Sequence, residues 1–129
     1  MPAMTMLHEV EPSEELIDRI GDLSNIEIFN NQVLCAIYIR PTKTKSGIII
    51  TDQTRAEDKF QGKVGLVLKK GTRAFKDDGE WFEGVNVNPG DWVFFRVSDG
   101  WPININGVEC RLLDDTIIRG KIDHPDRVW

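Results

Sequence analysis

The chain of 129 residues is poor in the residues from which metal and disulfide sites are built. It holds two cysteines and two histidines, without the CxxC or HxxxH spacing that indicates a zinc site. Cys35 and Cys110 lie far apart, each inside a strand-like segment. We therefore expect two buried free thiols in a reducing compartment and no disulfide framework.

Candidate catalytic groups are equally scarce. His8 and His124 lie near the chain ends, outside the apparent core, and neither has a serine or cysteine with a third partner nearby in the sequence, although partners in space stay open. The adjacent acids Asp114 and Asp115 could act as a base, but such a pair is more often a solvated turn. We expect no catalytic residue, no metal and no cofactor.

Long apolar runs are also absent. No segment is long enough and apolar enough to span a bilayer, so we expect no membrane partner. The N-terminal sequence MPAMTMLHEV has neither a basic region nor a long apolar stretch, so we expect no secretory signal and a cytoplasmic protein.

The chain has fewer basic than acidic residues, and its net negative charge is unevenly distributed. The formal net charge is −5. Residues 1–30 carry seven acids and one base, a net −6, whereas the remainder carries 14 acids and 15 bases, a net +1. A nearly neutral body does not attract a phosphate backbone, so we expect no nucleic-acid partner. Core packing explains the aromatic segment DWVFFR, with Trp92, Phe94 and Phe95, more simply than base stacking.

What is present is mostly strand pattern. PSEELIDRIG predicts one short helix, capped by Ser13 and ended by Gly21, with Leu16, Ile17 and Ile20 on one face. Five later segments are rich in β-branched and aromatic residues and predict strands, at 33–39, 64–68, 92–97, 108–113 and 116–122. Turns are predicted at Pro89-Gly90-Asp91, at Asn106-Gly107 and at Asp78-Gly79. The pattern predicts an all-β fold, a small barrel or sandwich.

The segment VLCAIYI, residues 33–39, is apolar on both faces. Val33, Cys35 and Ile37 alternate with Leu34, Ala36 and Tyr38, and a strand of this kind is covered on both sides. In a small protein this predicts a barrel wall whose outer face meets a second subunit.

Three consecutive isoleucines, Ile48 to Ile50, interrupt a polar segment of more than twenty residues that lacks sustained alternation. They follow Gly47, and charged residues flank them. This pattern fits a buried strand, and it also fits an exposed apolar segment that flanking charges protect from aggregation. One interpretation is a core strand. The other is an anchor that docks on a partner, since long loops in compact domains are usually functional or disordered.

The segments NNQVLCAIYI, KTKSGIIIT, FQGKVGLVLKKG, NPGDWVFF and NGVECRLLDDTII occur in the order and near the spacing of the GroES-type co-chaperonins. The chain resembles that family from about Ile26 to Ile122. The resemblance implies a partly open Greek-key β-barrel that assembles into a homo-oligomer of seven subunits. It also implies that Gly47 and Ile48, Ile49 and Ile50 form the loop that docks on a large ATP-dependent chaperonin ring and caps its folding chamber.

The same resemblance divides the chain into an acidic extension with a short helix (1–25), a barrel domain (26–123) and a tail (124–129). The barrel domain would contain a loop at 40–62 and a roof hairpin insert at 72–84. Terminal strands join subunits in this family, so the candidate interface residues are Leu34, Ala36, Tyr38, Ile117 and Ile118.

Three features depart from bacterial members of the family. They are the acidic extension, Asn31-Gln32 in place of the usual Asp-Arg, and a tail whose Trp129 requires a site in which to be buried. These features are similar to the GroES-like proteins that bacteriophages encode. The alternative is therefore a virion structural protein, such as a capsid decoration protein, whose tails fix it to the capsid protein in the virion, since fold alone does not decide function. If the chain is instead a phage-encoded co-chaperonin, it would act in the cytoplasm of the host.

Overall fold

The computed structural model describes residues 11–38, 64–76, 82 and 84–127. These residues form one α-helix, six strands and two short 3₁₀-helices, the latter at Asp115–Ile117 and Pro125–Arg127. The helix and strands are α1 (Pro12–Ile20), β1 (Gln32–Ile37), β2 (Val64–Lys70), β3 (Trp92–Phe94), β4 (Trp101–Ile105), β5 (Val108–Asp114) and β6 (Gly120–Ile122).

The six strands form one antiparallel sheet in the order β4-β5-β1-β2-β3-β6. The sheet is not closed, and β4 and β6 are its edges. With one short helix beside six antiparallel strands, the prediction of an all-β fold of the small, partly open barrel type is confirmed. Strand β1 is central in the sheet and pairs with β5 on one edge and β2 on the other.

Strand β1 divides the core into two clusters. Val33, Cys35 and Ile37 pack in one cluster, which also contains Val93 and Leu113. The residues between them face the opposite cluster, and every residue of β1 after Gln32 is buried. The expectation that this strand is covered on both faces is therefore confirmed.

Helix α1 covers the second cluster. Its buried residues are Pro12, Leu16 and Ile20, whereas Ile17 is 48% exposed, so the prediction that all three of Leu16, Ile17 and Ile20 dock was wrong for Ile17. The helix begins at Pro12 rather than after Ser13, because proline suits the first helical position, where its missing N–H is not needed. It ends as predicted at Gly21, which adopts φ 74° and donates its N–H to the Ile17 carbonyl at 3.1 Å.

The predicted turn at Asn106-Gly107 connects β4 to β5, with φ values of 52° and 83°. A two-residue hairpin of this hand needs positive φ at both positions, which Asn and Gly tolerate best. The Asn106 side chain also donates a hydrogen bond to the Ile20 carbonyl at 2.7 Å and so satisfies the last turn of α1. The turn at Pro89-Gly90 likewise leads into β3.

Two predicted strands were partly wrong, and one strand was missed. The strand expected at 92–97 ends at Phe94, because a turn follows in which Asp99 accepts the Arg96 N–H at 2.9 Å. The strand expected at 116–122 contains a 3₁₀-helix and only then β6. Strand β4 was missed because Pro102 removes a backbone donor, which an edge strand tolerates.

Several predicted features lie outside the described residues. These are most of the hairpin insert, including Asp78-Gly79, the whole loop at 40–62 and Trp129. Within the described ranges, no helix has the length and apolar character that crossing a membrane requires.

Candidate interaction sites

The long connection between β1 and β2 leaves and re-enters the sheet at one point. The Tyr38 N–H donates to the Val64 carbonyl at 3.0 Å, and Ile37 pairs with Gly65 in the antiparallel register. Residues 39–63 therefore connect two residues, Tyr38 and Val64, whose backbones are joined by a hydrogen bond. A segment anchored in this way is held at a fixed place on the barrel, whatever its own conformation.

The base of this connection is tightly packed. The Tyr38 ring meets the Trp92 ring edge to face, with 5.9 Å between centroids and 90° between planes, and both residues are buried. A β-carbon on Gly65 would lie 2.9 Å from the Cys35 β-carbon and 3.1 Å from the Ala36 carbonyl oxygen. Only glycine fits this close approach. We call this closely packed base, formed by Tyr38, Val64, Gly65 and Trp92, the Tyr38–Val64 platform.

The predicted partner-binding residues, Gly47 and Ile48 to Ile50, belong to the connection that this platform anchors and lie outside the described residues. Their role in docking remains a prediction. Trp129 also lies outside the described residues, so its role as a tail anchor likewise remains a prediction.

The candidate subunit-interface residues divide into two groups. Leu34, Ala36 and Tyr38 are at most 1% exposed in the single chain. They belong to a core cluster that also contains Leu16 and Ile20 of α1. Their role at a subunit interface remains a prediction.

Ile117 and Ile118 remain available as interface residues. Both are partly exposed and pack at the margin of the cluster formed by Val33, Cys35 and Ile37. Sequence analysis missed two larger apolar side chains, Phe29 at 64% and Trp101 at 61% exposure. The signal for Trp101 was the neighbouring Pro102, which marks an edge strand.

Of the two adjacent acids, Asp115 serves a structural contact. Asp114 is exposed, but Asp115 is only 4% exposed, which corrects the expectation of a solvated pair. Asp115 accepts hydrogen bonds from the Asn31 side chain at 3.1 Å and from the Phe75 N–H at 3.0 Å. It thereby holds Phe75, whose φ is 61°, in a conformation that is unusual for a bulky residue.

His124 is 7% exposed, so the expectation that it lies outside the core was wrong. Its Nε2 lies 3.0 Å from Glu11 Oε1, where the start of α1 packs on the end of the chain. Among the described residues, no group of three or more histidine, cysteine or acidic side chains could hold a metal ion.

Both cysteines are free and buried, as predicted. Burial raises the pKa of the Cys110 thiol to about 11, and burial raises the pKa of Cys35 further still. Thiols held neutral in this way do not act as nucleophiles at neutral pH.

A family model described as the chaperonin 10 kDa subunit matches residues 25–122. The match includes all six strands and the connection that the Tyr38–Val64 platform anchors. No curated protein matches the chain significantly. Members of this family are chaperone cofactors without enzymatic activity, they form oligomers, and they are partners of a chaperonin. The matched region covers most of the chain and all of its sheet, and the chain therefore belongs to the chaperonin 10 kDa family of GroES-type co-chaperonins.

Proposed function

We propose that this protein is a co-chaperonin whose apolar loop docks on a large ATP-dependent chaperonin ring and caps the folding chamber. The observation that carries the proposal is the position of the isoleucine triplet. Ile48, Ile49 and Ile50 belong to a connection of the family-matched barrel whose two ends are pinned together at Tyr38 and Val64. A barrel that holds such a segment at a fixed base is suited to presenting it to a partner.

The energetics favour several loops acting together. Burying three isoleucine side chains yields about 5–9 kcal/mol. Ordering the loop takes back several kcal/mol, so that one loop binds weakly. A ring of identical subunits, seven under the family resemblance, combines weak contacts into tight binding that can still be released as a unit when the chaperonin changes state. Oligomerisation is therefore part of the proposed mechanism.

The remaining roles follow from the same assembly. Ile117 and Ile118 contribute to the contact between subunits, and Trp129 is buried in the assembled particle. The protein acts without a cofactor in the cytoplasm in which the chaperonin resides.

The test is size-exclusion co-elution with the large chaperonin of the organism in which the gene is expressed, with and without ATP. We expect co-elution that depends on nucleotide, and we expect Ile49→Asp to abolish it, because the variant places an unpaired charge in an apolar contact. Ser98→Asp, which adds the same charge at an exposed turn, is the control and should co-elute normally.

Two outcomes would contradict the proposal. If Ile49→Asp unfolds the barrel, the triplet belongs to the core. If the folded wild-type protein never co-elutes with the chaperonin, the loop has another partner, and purified phage particles become the place to look for this chain.

A further inference from the structure

Two adjoining cavities form a groove at the root of the hairpin insert. They have volumes of about 500 and 430 Å³ and share the lining residues Phe82, Asp115 and Thr116. We call this the insert-root groove. It lies on the side of the sheet that carries the cluster of Val33, Cys35 and Ile37, because Phe75, Val87 and Ile118 contribute both to its walls and to that cluster.

Part of the wall of the insert-root groove is apolar. Phe75 and Phe82 meet edge to face, with 5.7 Å between ring centroids. Val85, which is 44% exposed, extends the apolar surface. Among the described residues that line the groove, the one carboxylate is that of Asp115, and it is already engaged by the Asn31 side chain and the Phe75 N–H. An apolar side chain of moderate size would be well accommodated here.

The rim of the groove is positively charged. Arg73 and Lys76 line one cavity and Arg119 lines the other, and all three are exposed. Within the described part of the chain, no carboxylate lies at ion-pair distance from any of the three. Lys121 is different, because it donates to the Asn86 carbonyl at 2.9 Å and lies 3.4 Å from an Asp91 oxygen. The rim therefore favours a partner with apolar and acidic groups side by side.

The outer face of α1 has this chemistry. Ile17 is 48% exposed and lies between Glu14 and Asp18, which are both exposed and one helical turn apart. Arg19 forms an ion pair with Glu15 at 2.8 Å, so its charge is already compensated. No cation among residues 11–38, 64–76, 82 and 84–127 lies at ion-pair distance from Glu14 or Asp18.

We propose that the outer face of α1 in one subunit binds the insert-root groove of a neighbouring subunit. Ile17 would pack against the Phe75 and Phe82 rings, and Glu14 and Asp18 would meet the cations of the rim. The inference rests on the oligomer in the proposed function and names one contact within it.

The contact must join two copies. Helix α1 packs through Leu16 and Ile20 on the cluster that contains Leu34 and Tyr38, whereas the insert-root groove belongs to the opposite cluster. One subunit therefore carries the two complementary surfaces on opposite faces of its sheet. A head-to-tail contact between different surfaces generates a closed ring when the rotation between neighbours permits closure.

Crosslinking of mixed subunits tests the contact. Ile17→Cys and Val85→Cys are prepared separately, mixed so that subunits exchange, and treated with a bismaleimide. The native Cys35 and Cys110 are buried and do not interfere. We expect a crosslinked dimer from this mixture and none from Ile17→Cys mixed with Ser98→Cys, which places a thiol on an exposed turn outside the groove. Absence of the first product, or equal yield in both mixtures, would overturn the proposal.

Charge reversal gives an independent test. The double variant Arg73→Glu/Lys76→Glu should dissociate at a protein concentration about tenfold higher than the wild type does, as measured by sedimentation velocity. Like charges then face each other at every contact. Adding Glu14→Lys and Asp18→Lys should restore association, whereas Arg96→Glu, which reverses a charge outside the groove, should change nothing. A fourfold variant no better associated than the double variant would overturn the proposal.

The two tests separate this contact from the proposed function. If crosslinking and rescue fail while wild-type protein still co-elutes with the chaperonin in an ATP-dependent manner, the contact is wrong and the co-chaperonin function stands. A wild-type protein that sediments as a monomer at all concentrations would overturn both the contact and the oligomer.

Discussion

At the scale of single residues, the fold depends on a few buried polar groups whose partners come from distant parts of the chain. Asp115 illustrates this, because its carboxylate joins Asn31, before β1, to Phe75, after β2. The sequence shows only two adjacent acids, and nothing in that pair indicates which one is buried. The distinction arises from chain segments about 40 and 84 positions away.

Removal of this carboxylate should be costly. Asp115→Ala leaves a part-buried backbone N–H and a part-buried side-chain amide without their acceptor, and an unsatisfied group costs up to about 1–3 kcal/mol when buried. We therefore expect Asp115→Ala to lower the free energy of unfolding by about 2–4 kcal/mol in urea titrations. Asp114→Ala, at the exposed neighbour, is the matched control and should cost little. Equal effects from the two variants would show that Asp115 does not hold these segments together.

The two thiols provide a second prediction at this scale. Cys35 and Cys110 should not react with a thiol reagent at pH 8 in the folded protein, and both should react in denaturant, because burial keeps them protonated. The folded state retains these protons to higher pH than the unfolded chain does. The stabilisation that the protonated thiols contribute should therefore be fully present below about pH 8.5, the pKa of an unfolded thiol. It should decrease as the pH rises towards the pKa of Cys110 at about 11. Rapid modification of either native thiol would contradict the buried arrangement.

At the scale of secondary-structure elements, α1 contributes Leu16 and Ile20 to the core cluster on the face of β1 that the strand pattern assigned to a second subunit. The sequence showed that β1 is apolar on both faces, and that inference was correct. It could not show what covers each face, because covering depends on where the extension docks. Leu16 and Ile20 reach that face because Pro12 starts the helix and the Asn106 side chain holds its last turn.

The docking of α1 can be tested with two isoleucines that lie three positions apart. Ile20 is 2% exposed and Ile17 is 48% exposed. Ile20→Ala should lower the free energy of unfolding by about 2–4 kcal/mol, because it removes buried methyl groups and leaves a cavity. Ile17→Ala should change unfolding by less than about 0.5 kcal/mol, measured at concentrations where the protein is monomeric. A small effect of Ile20→Ala would mean that the helix is not docked in solution.

The strands show where local pattern was sufficient and where it was not. Segments rich in β-branched and other apolar residues, such as β2 and β5, were predicted within two residues of their ends, and the Asn106-Gly107 hairpin was predicted from its backbone requirement alone. Strand β4 was not recognised because Pro102 weakens the pattern, and the segment at 116–122 was extended too far towards Asp115. At the first place the pairing of β4 with β5 decides the structure, and at the second the burial of the Asp115 side chain does. Neither is a property of the local sequence.

At the scale of the whole molecule, the sequence indicated both a family and a mode of action. The order of the matching segments was sufficient for the family, which the match over residues 25–122 confirms. The insert-root groove was beyond reach from the sequence, because Arg73, Phe82 and Arg119 come together only when β2, the insert and β6 are assembled. The excess of acidic residues in the N-terminal extension was visible in the sequence, but the group of basic residues at the rim of the insert-root groove was not.

The most direct test of the central claim is the refolding of a denatured enzyme by the large chaperonin and ATP, with and without this protein, under conditions where the enzyme does not refold spontaneously. We predict recovery of enzyme activity only when the chaperonin, ATP and the wild-type protein are all present, and no recovery with Ile49→Asp. Failure of the folded wild-type protein to increase recovery above chaperonin and ATP alone would contradict the claim that it is a co-chaperonin.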